Sequence, residues 1–98
     1  MRETAVEAHL IRRVAELGGR QAKFVVPGEN GHPDRLIVLS GCPTAFLELK
    51  APGEVPREDQ LERIAEWQRA GAGAGWADPA AKVEGFLRQL RRMGGRHA

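Results

Sequence analysis

The chain has 98 residues, a formal net charge of +2 and a sequence pI near 9.2, enough for one domain with a modest core that a second copy could help complete. Its single cysteine, Cys42, excludes an intrachain disulfide and any all-thiolate metal site within one chain. No apolar run approaches the roughly 20 residues of a membrane span, and a soluble, cytoplasmic setting is expected.

From Glu3 to Leu17 the apolar residues Val6, Leu10, Ile11, Val14 and Leu17 recur at helical spacing, and Gly18-Gly19 marks the stop. Ala22 to Val26 is expected to be a short strand, and Pro27-Gly28-Glu29-Asn30-Gly31 a turn-rich loop. Arg35 to Leu39 and Thr44 to Lys50 are the next two strands, joined by Ser40-Gly41-Cys42-Pro43, a connection so short that antiparallel pairing is the default. After the Pro/Gly loop Ala51 to Pro56, Glu58 to Ala70 carries Leu61, Ile64, Ala65 and Trp67 on a helical period and stops at Gly71. Ala72 to Ala77 is weak as a strand by propensity but fits a small-residue strand buried between helices. Asp78-Pro79 resembles an N-cap with proline at the first helical position, opening a helix through Val83, Phe86, Leu87 and Leu90. The order α-β-β-β-α-β-α predicts an α/β (α+β) domain with a mixed sheet flanked by helices.

Two segments place charge where a strand pattern wants apolar side chains: Gly31-His32-Pro33-Asp34-Arg35 and Phe46-Leu47-Glu48-Leu49-Lys50. Alternation sends Phe46, Glu48 and Lys50 to one face and Ala45, Leu47 and Leu49 to the other. If the strand after Asp34 pairs with this one, two carboxylates and an ammonium meet, a site for a hard divalent cation. Each residue also has an ordinary alternative: Asp34 as turn chemistry after Pro33, and Glu48 with Lys50 as a solvated edge. Glu7 shares a helical face with Leu10, Ile11 and Val14 and could reach the site, yet Thr4-Ala5-Val6-Glu7 also spells a capping box. Gln60 and Lys23 could face the same cleft or simply be solvated, as could the loop residue His32. Arg88, Arg91, Arg92 and Arg96 form either a phosphate-facing stripe or, as we favour, a solvated helix face and tail. His9 and His97 belong to no constellation, no His/Cys set suggests zinc, no glycine loop suits a nucleotide cofactor, and Ser40 and Cys42 lack a histidine partner.

Together Pro33-Asp34 and Glu48-Leu49-Lys50, behind a glutamate-bearing first helix, resemble the PD-(D/E)XK nuclease superfamily and its restriction-endonuclease-like core. More closely, the chain resembles the VRR-NUC (virus-type replication-repair nuclease) family in its stand-alone phage and prophage form. The resemblance rests on Glu7-Ala8-His9-Leu10, Gly18-Gly19, Lys23 to Gly28, Gly31 to Arg35, Phe46 to Gly53 and Gln60, and makes residues 1–98 a single nuclease domain. It implies Asp34, Glu48, the Leu49 backbone carbonyl and Glu7 as ligands of Mg²⁺ or Mn²⁺, Lys50 as the group that activates or positions the attacking water, and Gln60 as a further member of the catalytic set. Lys23, Arg35 and His32 are the implied substrate contacts, although an aliphatic residue is more usual at the position of His32. It further implies homodimers that cut branched DNA, such as four-way junctions, in phage or bacterial recombination, repair or packaging inside the host cell. No base-reading element is present, so phosphate contacts and DNA shape should dominate. The rivals are a non-catalytic DNA-binding or assembly module that keeps the fold, and a small α/β domain that binds only protein.

Overall fold

The computed structural model describes residues 3–78 and 80–95, with side chains from 5 to 78 and from 80 to 94. The elements are α1 (Glu3–Glu16), β1 (Arg20–Lys23), β2 (Arg35–Val38), β3 (Ala45–Leu49), α2 (Glu58–Arg69), β4 (Gly73–Ala77) and α3 (Ala80–Gly95). The capping role of the Thr4 side chain, the helix start at Pro79, and Arg96 and His97 lie outside the described residues.

One four-stranded sheet runs in the order β1-β2-β3-β4. The first three strands form an antiparallel meander, and β4 joins β3 in parallel after the α2 crossover, as a two-element return through a helix requires. The expected order and mixed sheet are both found. The first strand differs in its bounds: it occupies Arg20–Lys23 rather than Ala22 to Val26. Gly18, at a φ of 78°, turns the chain straight out of α1, and the Gly19 N–H is taken by the Val14 carbonyl at 2.9 Å. The chain is therefore already extended at Arg20, which pairs with Val38.

The core lies between the sheet and α1 with α3. Leu10 and Val14 of α1, Val83, Leu87 and Leu90 of α3, and Ile37, Leu47, Leu49 and Ala77 of the sheet are buried together, each large aliphatic side chain contributing about 1.5–3 kcal/mol of transfer free energy. The small residues of β4 have a packing reason. A Cβ on Gly73 would stand 2.9 Å from Leu90 Cδ1, and one on Gly75 3.2 Å from the Phe86 ring. Glycine here lets α3 approach the sheet closely, so a strand poor in β-propensity is held by tertiary packing. Arg88, Arg91 and Arg92 are exposed on α3.

On the opposite face α2 covers β3 and β4. Ile64 and Gln60 are buried beneath it, and Trp67 stacks on Phe46 with ring centroids 4.3 Å apart. Because Phe46 and Glu48 share a face of β3, this layer encloses the charged positions.

Candidate active site

The strand register brings the two motifs together. Arg35 pairs with Leu47 and Leu36 with Phe46, so one further step sets Asp34 across from Glu48, with side chains on the same face. An Asp34 oxygen accepts a hydrogen bond from the Leu49 N–H at 3.2 Å, tying the first carboxylate to the strand that carries the second. Pro33 is fully buried and has a fixed φ, and the Asp34 carbonyl accepts from the Phe24 N–H at 2.9 Å. The aspartate is thus held on both sides by backbone.

Glu48 is only 7% exposed. A carboxylate that deep needs charge or hydrogen-bond partners, and two are supplied. Lys50 Nζ stands 3.5 Å from Glu48 Oε2, and Gln60 Nε2 donates to the same oxygen at 3.1 Å. The orientation of the Gln60 amide is set independently, because its Oε1 accepts from the Arg57 N–H at 2.8 Å where α2 begins. The first turn of α2 therefore aims an N–H at Glu48.

Asp34, Glu48, Lys50 and Gln60 are brought together, with Leu49 of β3 between Glu48 and Lys50, whereas the Glu7, Arg35, Lys23 and His32 side chains have other surroundings. The Glu7 carboxylate pairs with the Arg35 guanidinium, and among the described residues no three His, Cys, Asp or Glu side chains gather into a metal-holding group. Arg35, expected to touch substrate, is 5% exposed, and its NH1 donates to Gln21 Oε1 at 2.9 Å. It shares strand parity with the core residues Ile37 and Leu39, so it is a buried structural cation matched by Glu7 rather than an open phosphate contact. Lys23 pairs with Arg35 across β1 and β2 and is exposed; that register places it on the Arg35 face of the sheet, away from Glu48.

His32 is likewise enclosed by the protein. Its side chain is 8% exposed, within an aromatic group of Phe24, Phe46 and Trp67. Trp67 Nε1 donates to His32 Nδ1 at 3.1 Å, and His32 Nε2 lies 2.7 Å from Glu29 Oε1. The Glu29 carboxyl is held below its usual range by that hydrogen bond, against a smaller opposing effect of burial and with help from nearby Arg63. The periodicity of α2 had placed Trp67 on its apolar face; its partner was invisible in sequence because 35 residues separate the two.

The donor set suits a hard cation. The Asp34 and Glu48 carboxylates offer only oxygen, and a site short of protein ligands that leaves its other positions to water is what Mg²⁺ favours.

No protein-family model matches the chain. A protein of Acyrthosiphon pisum secondary endosymbiont phage 1, named "Putative nuclease p44", is 46% identical over 65 residues, spanning 66% of this chain and 70% of that protein. A solved structure titled "VRR_NUC domain" superposes with a TM-score of 0.78 at 25% identity, over 88% of this chain and 94% of the other. The chain belongs to the VRR-NUC family of nucleases. Its mixed sheet and three helices are the VRR-NUC nuclease fold, and the paired Asp34 and Glu48 with Lys50 occupy the position in which the sequence motif had set them.

Proposed function

We propose that this VRR-NUC domain is a metal-dependent, structure-selective DNA endonuclease that hydrolyses phosphodiester bonds in branched DNA. The observation that carries the reading is Glu48, a nearly buried carboxylate set across from Asp34 and flanked by the Lys50 ammonium at 3.5 Å. Burying like charges side by side has no benefit to folding, whereas it suits the capture of a divalent cation. Asp34, Glu48 and the Leu49 carbonyl would hold Mg²⁺ or Mn²⁺, which when bound neutralises charge developing on the phosphate and acidifies coordinated water.

The chain's own residues account for the remainder. Lys50, with its ammonium 3.5 Å from Glu48, would hold the attacking water and stabilise negative charge at the phosphate. Gln60 donates to the Glu48 carboxylate and fixes its orientation. In the reaction the attacking water gives up a proton to solvent as its oxygen bonds to phosphorus, one ester P–O bond breaks, and the departing alkoxide takes up a proton from a second water. One site per chain cuts one strand, so paired cleavage at a junction calls for a two-fold homodimer. The reading includes a role in phage or prophage DNA recombination or repair within the bacterial host cytoplasm; the phage origin of the nuclease relative supports its phage setting.

The test is incubation of the purified protein with labelled four-way junction and matched linear duplex, in Mg²⁺, Mn²⁺ or EDTA, beside Lys50→Ala. Cleavage that needs both metal and Lys50, with preference for the junction, is expected. Binding without cleavage would refute the reading in favour of a non-catalytic module, and equal cleavage of the duplex would remove the structural selectivity.

A further inference from the structure

The helix that holds Glu48 also holds the loop leading to Asp34. On α2, Gln60 donates to Glu48 at 3.1 Å, and three residues on, Arg63 Nε donates to the Asn30 carbonyl at 3.1 Å while its NH1 lies 3.5 Å from Glu29. One turn further, Trp67 Nε1 donates to His32 Nδ1 at 3.1 Å. These positions lie along one side of the helix. An indole N–H can only donate, so His32 presents a bare Nδ1 and carries its hydrogen on Nε2, which points to Glu29. His32 is thereby gripped from both ring nitrogens, two residues before Asp34, with only the rigid Pro33 between them.

We infer that Trp67 is a positioning residue: its indole N–H, acting through His32 and Pro33, fixes Asp34 relative to the Glu48 carboxylate that Gln60 fixes from the same helix. The inference rests on the nuclease reading above and adds to it a residue far from the reacting atoms. The two metal-binding carboxylates come from different strands, and their separation depends on what clamps the loop between β1 and β2. The Leu49 N–H grips Asp34 from β3, but the approach of the loop is set by α2. The ring stacking of Trp67 on Phe46 serves the core; the N–H serves the site. Phenylalanine would keep the first and lose the second.

The experiment compares wild type, Trp67→Phe, His32→Leu, His32→Asn and the double variant Trp67→Phe/His32→Leu. Measurements are kcat and KM on a four-way junction at 20 °C, Mn²⁺ titration of activity, and the rise in Tm with Mn²⁺ alone. For Trp67→Phe, kcat is expected to fall about tenfold, since small displacements of a positioned group cost that much or more. KM for DNA should stay within about twofold, and the Mn²⁺-dependent rise in Tm should shrink. His32→Leu should behave alike, the double variant should be no worse than either single one, and His32→Asn, which keeps an acceptor near Nδ1, should recover most of the loss. A Trp67→Phe protein with lower Tm but wild-type kcat and an unchanged Mn²⁺ response would overturn the positioning role while leaving the nuclease reading intact. A wild-type protein that neither cleaves nor responds to Mn²⁺ would overturn both.

Discussion

Gln60→Glu replaces a hydrogen-bond donor by a carboxylate at the same place, and the geometry gives its effect a sign and a size. The Gln60 nitrogen lies 3.1 Å from Glu48 Oε2. Two full charges at that distance repel by about 5 kcal/mol at an effective dielectric near 20, partly offset by Lys50 beside the same oxygen. The pair can escape by retaining one proton between them, as coupled carboxyls do. Holding that proton at pH 7, against an ordinary glutamate pKa near 4.3, costs at most about 4 kcal/mol. The penalty is thus about 2–4 kcal/mol at pH 7, or roughly 10–20 °C in Tm for a domain of this size. The introduced carboxyl has its folded pKa raised above the unfolded value. Its stabilisation is complete below pH ~4.3 and is lost as pH rises through the folded value. The Tm gap between wild type and variant should therefore be small at pH 4.5–5 and widest near pH 8, measured by circular dichroism in parallel melts. Mn²⁺ should narrow the gap at pH 8 by neutralising the added charge. A gap of equal size at pH 5 and pH 8 would refute the close Gln60–Glu48 contact and the electrostatics built on it.

Asp34→Asn preserves an acceptor for the Leu49 N–H, so the fold should survive with a Tm close to that of wild type while Mn²⁺ affinity by calorimetric titration falls at least tenfold. Glu84→Gln tests the link between α1 and α3: the Glu84 carboxyl is held below its usual range by hydrogen bonds from Arg13 and His9, against an opposing effect of burial. A depressed folded pKa gives stability that is present above pH ~4.3 and lost as pH falls through the folded value, so the variant should melt a few degrees lower at pH 7 and lose less between pH 5 and pH 3 than wild type does. Gly19→Ala would put a Cβ 2.5 Å from the Val38 carbonyl oxygen; because that neighbour is backbone in the sheet, a loss of about 2 kcal/mol or more is expected by urea denaturation.

Much of the fold was legible because two periods, helical in the segments of Leu10, Ile64 and Leu87 and alternating in Ala45 to Leu49, are well separated by Gly and Pro punctuation. The first strand was displaced because Val25 and Val26 look like strand residues, whereas Val25 is 77% exposed and the paired residues are Arg20–Lys23. Here a sheet edge tolerates polar residues, and tertiary register overrides propensity. In the site, the meeting of Asp34, Glu48 and Lys50 followed from short-range alternation and one strand pairing, whereas Gln60, on α2, was pointed to by the family resemblance and not by its spacing. Glu7, Arg35 and His32 were assigned toward the substrate or metal, but the pairing of Glu7 with Arg35 and of Trp67 with His32 joins residues distant in sequence. A signal did exist for Arg35: it shares parity with Ile37 and Leu39, so the pattern that buried them also buried a guanidinium that required a carboxylate.

The polar residues of this domain divide between the two faces of the sheet according to what must be balanced there. On the α1 side a buried cation, Arg35, is matched within the protein by Glu7 and Gln21. On the α2 side Asp34 and Glu48 are set across from one another, with Lys50 as the cation beside Glu48. A fold selected for stability alone would replace the buried Glu48 with an aliphatic residue like its neighbours Leu47 and Leu49. Keeping it obliges α2 to supply Gln60 as a donor and Trp67 as a clamp on the loop before Asp34. The helix that crosses over from β3 to β4 thus does more than close the sheet: it holds two repelling carboxylates in register, which is the condition for their sharing a cation.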